Sequence, residues 1–229
     1  MRAHGKDTLD HVEESCGHAE ITRNVINLGL RAVCHDIKID GSHDYLSGLG
    51  FRNSCESAMR LKPKCNMHSG TKCSSFVWIH RHTAGRSKTH ILGNIARESV
   101  REGNASSLRW AFQSLLGKFI DISNTLEQPM SSVFVHLQWV SRVTELAGSR
   151  RIATWLGAFG AAAPKPIKLV SNATWIDELR RQKPTHTMQS LATCSGHSVT
   201  GGRNLQESER YPNDFGEAYG GAFKASLDA

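Results

Sequence analysis

Apolar side chains recur at helical spacing in several stretches of the chain, separated by short apolar runs. Helices are predicted over residues 16–29, 51–61, 94–118, 131–148 and 175–181. The apolar face of the longest one would consist of Leu108, Ala111, Phe112, Leu115 and Leu116. The short runs predict strands over residues 30–37, 119–126, 152–159 and 167–170. Strands that alternate with helices are typical of an α/β protein with a largely parallel sheet.

The last fifth of the chain has a different pattern. Residues 182–210 are rich in Thr, Ser, Gly and Gln and hold few large apolar side chains, which indicates a flexible linker. A clean amphipathic helix follows, with an apolar stripe formed by Phe215, Ala218, Tyr219, Ala222, Phe223 and Leu227. The predicted organisation is an α/β domain over residues 1–181, a linker over 182–210 and a C-terminal helix within 211–229 that packs back on the sheet.

Composition narrows the class of protein. Hydrophobic residues make up 39% of the 229-residue chain, enough for a core of ordinary size. No run approaches the ~20 apolar residues of a membrane span, and the first residues lack the apolar region of a signal peptide. The 6 cysteines are irregularly spaced without a Cys-x-x-Cys pair, which favours reduced thiols. We therefore expect a soluble intracellular protein of the nucleus or cytoplasm, with no membrane partner.

Positive charge is concentrated in one segment. The net charge is +7, yet residues 60–118 alone carry 11 Lys and Arg against 2 Asp and Glu. Such a segment suits a phosphate-bearing polymer, although a solvated basic helix face would have the same composition.

Three short stretches carry candidate chemistry. Cys73 precedes two serines and an apolar run, a pattern that can place a thiol at a strand-to-loop turn, although most single cysteines are small buried hydrophobes. Gly17 and Asp36 are spaced as in a strand-turn-helix-strand unit, in which the glycine admits a cofactor and the acid binds ribose hydroxyls. Asp40 and Asp44 are rival acids, and a turn cap is the alternative interpretation of Asp36. Further along, Glu127 stands in the sequence Leu-Glu-Gln-Pro.

Taken in order, these pieces resemble cytosine-5 DNA methyltransferases, and more closely a compact, divergent group of uncharacterised cytosine-methylase-like proteins. The resemblance runs from about residue 9 to residue 182 and includes a late Lys165-Pro166 and Asn172. It implies a Rossmann-like methyltransferase fold with S-adenosylmethionine as cofactor and DNA or RNA as substrate. The implied activity is that of a DNA (cytosine-5-)-methyltransferase-like enzyme.

The resemblance also implies a role for each matching residue. Cys73 would add to carbon six of a flipped cytosine, and Glu127 would hydrogen-bond or protonate the ring nitrogen. Gly17 and Asp36 would bind the cofactor, and Pro129 would shape the glutamate loop. Because a thiolate needs nearby positive charge, the cations expected to assist Cys73 are Lys72, Arg81 and Arg86.

Several positions depart from the family pattern. The resemblance implies further strands over residues 7–12 and 64–70, but both are polar where a buried parallel strand is normally apolar. Lys72 replaces the family's proline, and Gln128 replaces its asparagine. These departures leave open a catalytically inactive α/β module that binds nucleic acid through the basic 60–118 segment, with Arg81, Arg86 and Lys88 as the contacts. A zinc module is a third hypothesis, disfavoured by spacing, and its ligands would come from Cys65, His68, Cys73, His80 and His82.

Overall fold

Strands and helices alternate along the chain, as the hydrophobic pattern predicts. The computed structural model describes residues 8–161, 163–184 and 210–229, so most of the predicted linker lies outside the described residues. The strands are β1 (Leu9–Glu14), β2 (Ala32–His35), β3 (Leu61–Ser69), β4 (Ser123–Pro129), β5 (Arg150–Trp155) and β6 (Pro166–Ser171). The α-helices are α1 (Glu20–Asn27), α2 (Gly48–Met59), α3 (Arg81–Ala84), α4 (Glu98–Phe119), α5 (Gln138–Leu146) and α6 (Asn213–Asp228).

The strands form one mixed sheet in the order β2-β1-β3-β4-β6-β5. The pairs formed among β1, β2, β3 and β4 are parallel, whereas β6 runs antiparallel to both of its neighbours. The α/β class and the largely parallel sheet are thereby confirmed. The carboxyl ends of β1 to β4 consequently lie along one edge of the sheet, which is where open parallel sheets bind ligands.

Helices cover both faces of the sheet. Successive side chains of β1 point to opposite faces. On one face, His11 packs against rings of α6 and Glu13 is hydrogen-bonded to α1. On the other face, Glu14 is hydrogen-bonded to α2. A large apolar cluster lies mainly with α1 and α6, and a second one, which includes Trp110 and Leu126, lies mainly with α4 and α5.

The two strands expected to be too polar are both formed, and they lie at the centre of the sheet. Strand β1 pairs with β2 and β3, and all six of its residues are buried. Strand β3 starts at Leu61, three residues earlier than expected, and so includes Pro63. Hydrogen-bond partners on the helices reach the carboxyl groups of β1, which helps to make its burial tolerable. Thr22 of α1 donates to Glu13 Oε2 through its amide (2.9 Å) and its hydroxyl (2.6 Å).

The long helix α4 shows a different buried face from the predicted one. Leu108 and Phe112 are 57% and 56% exposed, whereas Ser106, Gln113 and Ser114 are buried. This face is buried because it takes part in a hydrogen-bond network that ends at the carboxyl group of Glu14 on β1. Ser54 Oγ of α2 donates to Glu14 Oε1 (2.6 Å), and Gln113 Nε2 donates in turn to Ser54 Oγ.

Three other predictions need smaller corrections. The helix expected over residues 131–148 is a 3-10 turn (Phe134–His136) followed by α5. The strand expected over 152–159 ends at Trp155 and continues as the 3-10 turn Leu156–Phe159. The short helix near residue 175 is a 3-10 helix, Thr174–Leu179.

The C-terminal helix packs back on the domain as its apolar stripe predicts. Phe215, Tyr219 and Phe223 are fully buried on α6. The Tyr219 hydroxyl donates to Asn66 Oδ1 of β3 (2.5 Å), and its ring packs edge-on against His68 at 5.2 Å between centroids. Helix α6 therefore covers the polar centre of the sheet. Among all the helices in the described parts of the chain, none is both long and apolar enough to cross a lipid bilayer.

The buried polar centre predicts an unusual dependence of stability on pH. Burial raises the pKa of Glu13 and of Glu14 to about 8, and it lowers the pKa of His11 and of His68 to about 3. Both glutamates therefore stay protonated in the folded protein at pH values between 4.5 and 8, where they are ionised in the unfolded chain. The two histidines lower the stability at acid pH, because below pH 6.5 they bind protons in the unfolded chain but stay neutral in the folded protein.

We predict that the free energy of unfolding falls as the pH rises from 6.5 to 8. Two glutamates that release protons only on unfolding give a slope of up to about 2.7 kcal/mol per pH unit. Urea unfolding at a series of pH values measures it. The double variant Glu13→Gln, Glu14→Gln should flatten the alkaline decline. A wild-type stability that is constant or rises between pH 6.5 and 8 would contradict the prediction.

Candidate functional site

The four residues singled out by the sequence lie along the carboxyl edge of the sheet. Asp36 follows β2, Gly17 follows β1, Cys73 follows β3, and Glu127 lies near the end of β4. Since the spatial order of these strands is β2-β1-β3-β4, the edge has two halves. Gly17 and Asp36 belong to one pair of neighbouring strands, and Cys73 and Glu127 belong to the next.

Gly17 and Asp36 are joined directly. The Gly17 amide donates to Asp36 Oδ2 at 2.8 Å, and the Lys38 amide donates to Oδ1 at 2.8 Å. Gly17 has a φ of 57°, and a Cβ built on it would meet nothing within 4 Å, so its glycine identity serves the turn and the space beside it is open. The carboxylate is thus held in one orientation at the crevice between β1 and β2. The rival acids Asp40 and Asp44 accept from the amides of Ser42 and Leu46 in local turns.

A thiol pair lies beside this crevice. Cys16 is buried after β1, and Cys34 is half-buried on β2. A hydrogen bond from the Cys16 thiol favours the Cys34 thiolate and lowers the pKa of Cys34 to about 7. Sequence reasoning singled out neither residue, because their contact depends on the parallel pairing of β1 with β2.

Glu127 is a buried carboxyl with spare hydrogen-bonding capacity. Its Oε2 accepts from the Tyr211 hydroxyl at 3.3 Å, while its Oε1 is buried and has no hydrogen-bond partner among the described residues. Burial raises the pKa of Glu127, opposed by the charge of Lys165 and by the Tyr211 hydrogen bond. The carboxyl group therefore holds a proton more readily than an exposed glutamate and can donate a hydrogen bond.

Tyr211 is the residue beside Glu127 that sequence reasoning missed, and it also contacts His68, which the sequence offered only as a zinc ligand. The Tyr211 hydroxyl lies 3.2 Å from His68 Nε2, and Arg210 forms an ion pair with Glu20 of α1 at 2.5 Å. Residues 210 and 211 thus carry the chain across the sheet edge just before α6. Apart from Phe215, whose ring packs against Tyr211, these partners of residues 210 and 211 are at least 84 positions away, so no local pattern signals them.

The loop that carries Cys73 is tied to the strand that carries Glu127. Gln128 Nε2 donates to the carbonyl of Thr71 (3.1 Å) and to its hydroxyl (2.9 Å). The Val133 amide donates to the carbonyl of Phe76 (3.0 Å). Cys73 itself is half-buried and precedes the 3-10 turn Ser74–Phe76. Gln128 therefore ties the Cys73 loop to the strand that carries Glu127.

The three cations expected to assist Cys73 each have another contact. Lys72 pairs with Glu102 at 2.6 Å, and the guanidinium of Arg81 lies 4.4 Å from the ring centroid of Trp78. Arg86 is only 3% exposed. Its guanidinium donates to Ser75 Oγ (3.0 Å) and to Asn104 Oδ1 (2.9 Å), so it holds the loop together inside the protein. Of the three expected nucleic-acid contacts, Arg81 and Lys88 lie on the surface and Arg86 does not.

The structure also bears on Lys165 and Asn172 of the late motif and on the zinc hypothesis. Asn172 Oδ1 accepts from the Asn124 amide at 2.7 Å, which secures the start of β4, and Lys165 lies near enough to Glu127 to influence its pKa. Within the described residues, no group of three or more His, Cys, Asp and Glu side chains is placed to hold a metal ion. Comparison of the chain with known protein families and with curated proteins finds no match to either.

We predict that Tyr211→Phe raises the pKa of Glu127, because the lost hydrogen bond favours the ionised carboxylate. A carbon-detected NMR titration of the Glu127 carboxyl measures the change. Tyr219→Phe is the matched control, since it removes another buried hydroxyl, the one bonded to Asn66. Both variants should lose about 1 kcal/mol of stability, but only Tyr211→Phe should change the pKa of Glu127. An unchanged or lowered pKa in Tyr211→Phe would show that this hydrogen bond does not tune the acid.

Proposed function

We propose that this protein is an S-adenosylmethionine-dependent, methyltransferase-like protein that acts on cytosine in DNA. The observation that carries the proposal is the Glu127 carboxyl. It is buried, its pKa is raised by burial, and its Oε1 has no partner among the described residues. A carboxyl that hydrogen-bonds or protonates a ring nitrogen is helped by a raised pKa and an available oxygen, and both are found at Glu127.

In this proposal the half of the edge that holds Gly17 and Asp36 would bind the nucleoside portion of S-adenosylmethionine. Asp36 is fixed by two backbone amides, and each of its oxygens retains a second lone pair that can accept from a ribose hydroxyl. The open space beside Gly17 is where a cofactor could approach the backbone. A mostly parallel sheet with helices on both faces is compatible with a Rossmann-like fold. When bound, the cofactor would supply the methyl group.

The base half of the edge would act on cytosine through two side chains. The Cys73 thiolate would add to carbon six and so make carbon five nucleophilic. Glu127 would hold a proton at the ring nitrogen and thereby stabilise the charge that develops on the ring. Gln128, through Thr71, would keep the Cys73 loop and the Glu127 strand together during these steps. The cytosine must leave the base stack to reach both groups.

A catalytically inactive module that binds nucleic acid is the second candidate, and the cations near Cys73 favour it. Lys72 is paired with Glu102, and Arg86 is occupied inside the protein. A thiolate is favoured at neutral pH by nearby positive charge, and these two of the expected cations are engaged by other groups. In this alternative the basic surface remains functional and Cys73 does not.

We predict that an oligonucleotide containing 5-fluorocytosine forms a covalent adduct with the protein in the presence of S-adenosylmethionine, detected by intact mass spectrometry. Fluorine at carbon five blocks the release step, so the adduct accumulates. Cys73→Ser should abolish the adduct, and Glu127→Gln should slow its formation by about 100-fold or more. Cys55→Ser is the matched control, because Cys55 is also half-buried and lies on α2.

The outcomes separate the two candidates. An adduct that survives Cys73→Ser would remove Cys73 from its role. If the wild-type protein forms no adduct and isothermal titration detects no binding of S-adenosylmethionine, the inactive module is the better account.

A further inference from the structure

A pocket lies beyond the Cys73 loop, between the segments that follow β3 and β4. It has a volume of about 400 Å³. Phe76, Val77 and Val133 contribute apolar surface, and Trp78, Arg81 and Lys88 lie at its wall. Because both segments follow parallel strands, the pocket shares the carboxyl edge with Cys73 and Glu127.

The wall of the pocket combines an aromatic ring with a guanidinium. Trp78 is 68% exposed, which is unusual for a side chain of this size. Arg81 stacks over the Trp78 ring, with its guanidinium carbon 4.4 Å from the ring centroid. A flat aromatic ligand can stack on either group, and this pairing is typical of surfaces that bind unpaired bases.

The polar groups of the pocket are suited to a phosphate. Lys88 and Arg81 are exposed cations, and Ser87, Thr89 and Ser131 add hydroxyl donors. Among the described residues that line the pocket, none is acidic. An anionic ligand with an aromatic portion therefore meets complementary charge and an apolar surface at the same place.

The floor of the pocket is rigid. The Arg86 guanidinium lies 3.8 Å from the Phe76 ring centroid and donates to Ser75, Asn104 and two backbone carbonyls. Gly103 of α4 allows this close packing, since a Cβ there would lie 2.6 Å from Ser75 Oγ and 2.8 Å from the Phe76 ring. The pocket is thus preformed and need not be assembled by its ligand.

We propose that this pocket binds one unpaired nucleotide of a single-stranded nucleic acid, with the base against Trp78 and Arg81 and the phosphate near Lys88. A cavity of about 400 Å³ accepts one nucleotide but not the width of a duplex. The proposal deepens the proposed function, on which it rests for the identity of the polymer, by naming the substrate as single-stranded, or locally unpaired, next to the target cytosine.

The test is equilibrium binding of a fluorescein-labelled 12-nucleotide single-stranded DNA, followed by fluorescence anisotropy. The protein carries Cys73→Ser and the buffer lacks S-adenosylmethionine, so that failure of methyl transfer does not affect the readout. Trp78→Ala should weaken binding of the single strand by about tenfold. Lys88→Ala should weaken it mainly at low salt, because it removes a phosphate contact.

Matched controls are available at the opposite edge of the sheet. Phe119 and Lys118 are an exposed aromatic residue and an exposed cation at the end of α4, just before β4 begins. Phe119→Ala and Lys118→Ala should leave the affinity for the single strand unchanged. Circular dichroism spectra that match the parent protein establish that each variant is folded.

Three further probes complete the test. A 12-base-pair duplex should bind with an affinity that Trp78→Ala changes less than twofold, and a single-stranded RNA of the same sequence should show the same dependence on Trp78 as the DNA. Free dCMP should bind far more weakly than the oligonucleotide. The proposal is overturned if Trp78→Ala leaves single-strand binding intact, if it weakens the duplex equally, or if dCMP binds as tightly as the strand.

Discussion

The centre of the sheet contains ionisable side chains at positions where parallel strands are normally apolar, and the remaining structure depends on keeping them uncharged. Glu13 and Glu14 are almost fully buried, and the idealised desolvation of two carboxylates would exceed the stability of an ordinary domain. Protonation removes most of this cost, and the hydroxyls of Thr22 and Ser54 provide partners from the two faces. Without this arrangement β1 could not pair with β2 and β3, and the carboxyl edge would not form.

The same requirement explains why the C-terminal helix belongs to the candidate site. Tyr219 supplies a hydrogen bond to Asn66 and a ring against His68, so α6 shields the polar centre of the sheet from water. The approach to that helix brings Tyr211 onto Glu127. A single segment therefore stabilises the sheet and adjusts the protonation of the acid that the proposed reaction uses.

Features that depend on local periodicity could be predicted from the sequence, and features that depend on partners from distant segments could not. The stripe from Phe215 to Leu227 predicts a buried amphipathic helix, and the alternation of helical and strand patterns predicts the α/β class. By contrast, α4 buries Gln113 in place of Phe112 because Ser54 and Glu14 lie opposite it. Arg86 stands in a basic loop but lies inside the protein, since Ser75 and Asn104 accept its donors.

The protonation state of Glu13 and Glu14 tests the central claim most directly. Selective ¹³C labelling of glutamate carboxyl carbons, with Glu13→Gln and Glu14→Gln to assign the two signals, follows each group through a pH titration in the folded protein. The account predicts protonated carboxyls at pH 7 and pKa values near 8 for both groups. Carboxylates already ionised at pH 7, with pKa values near the ordinary 4.5, would contradict it.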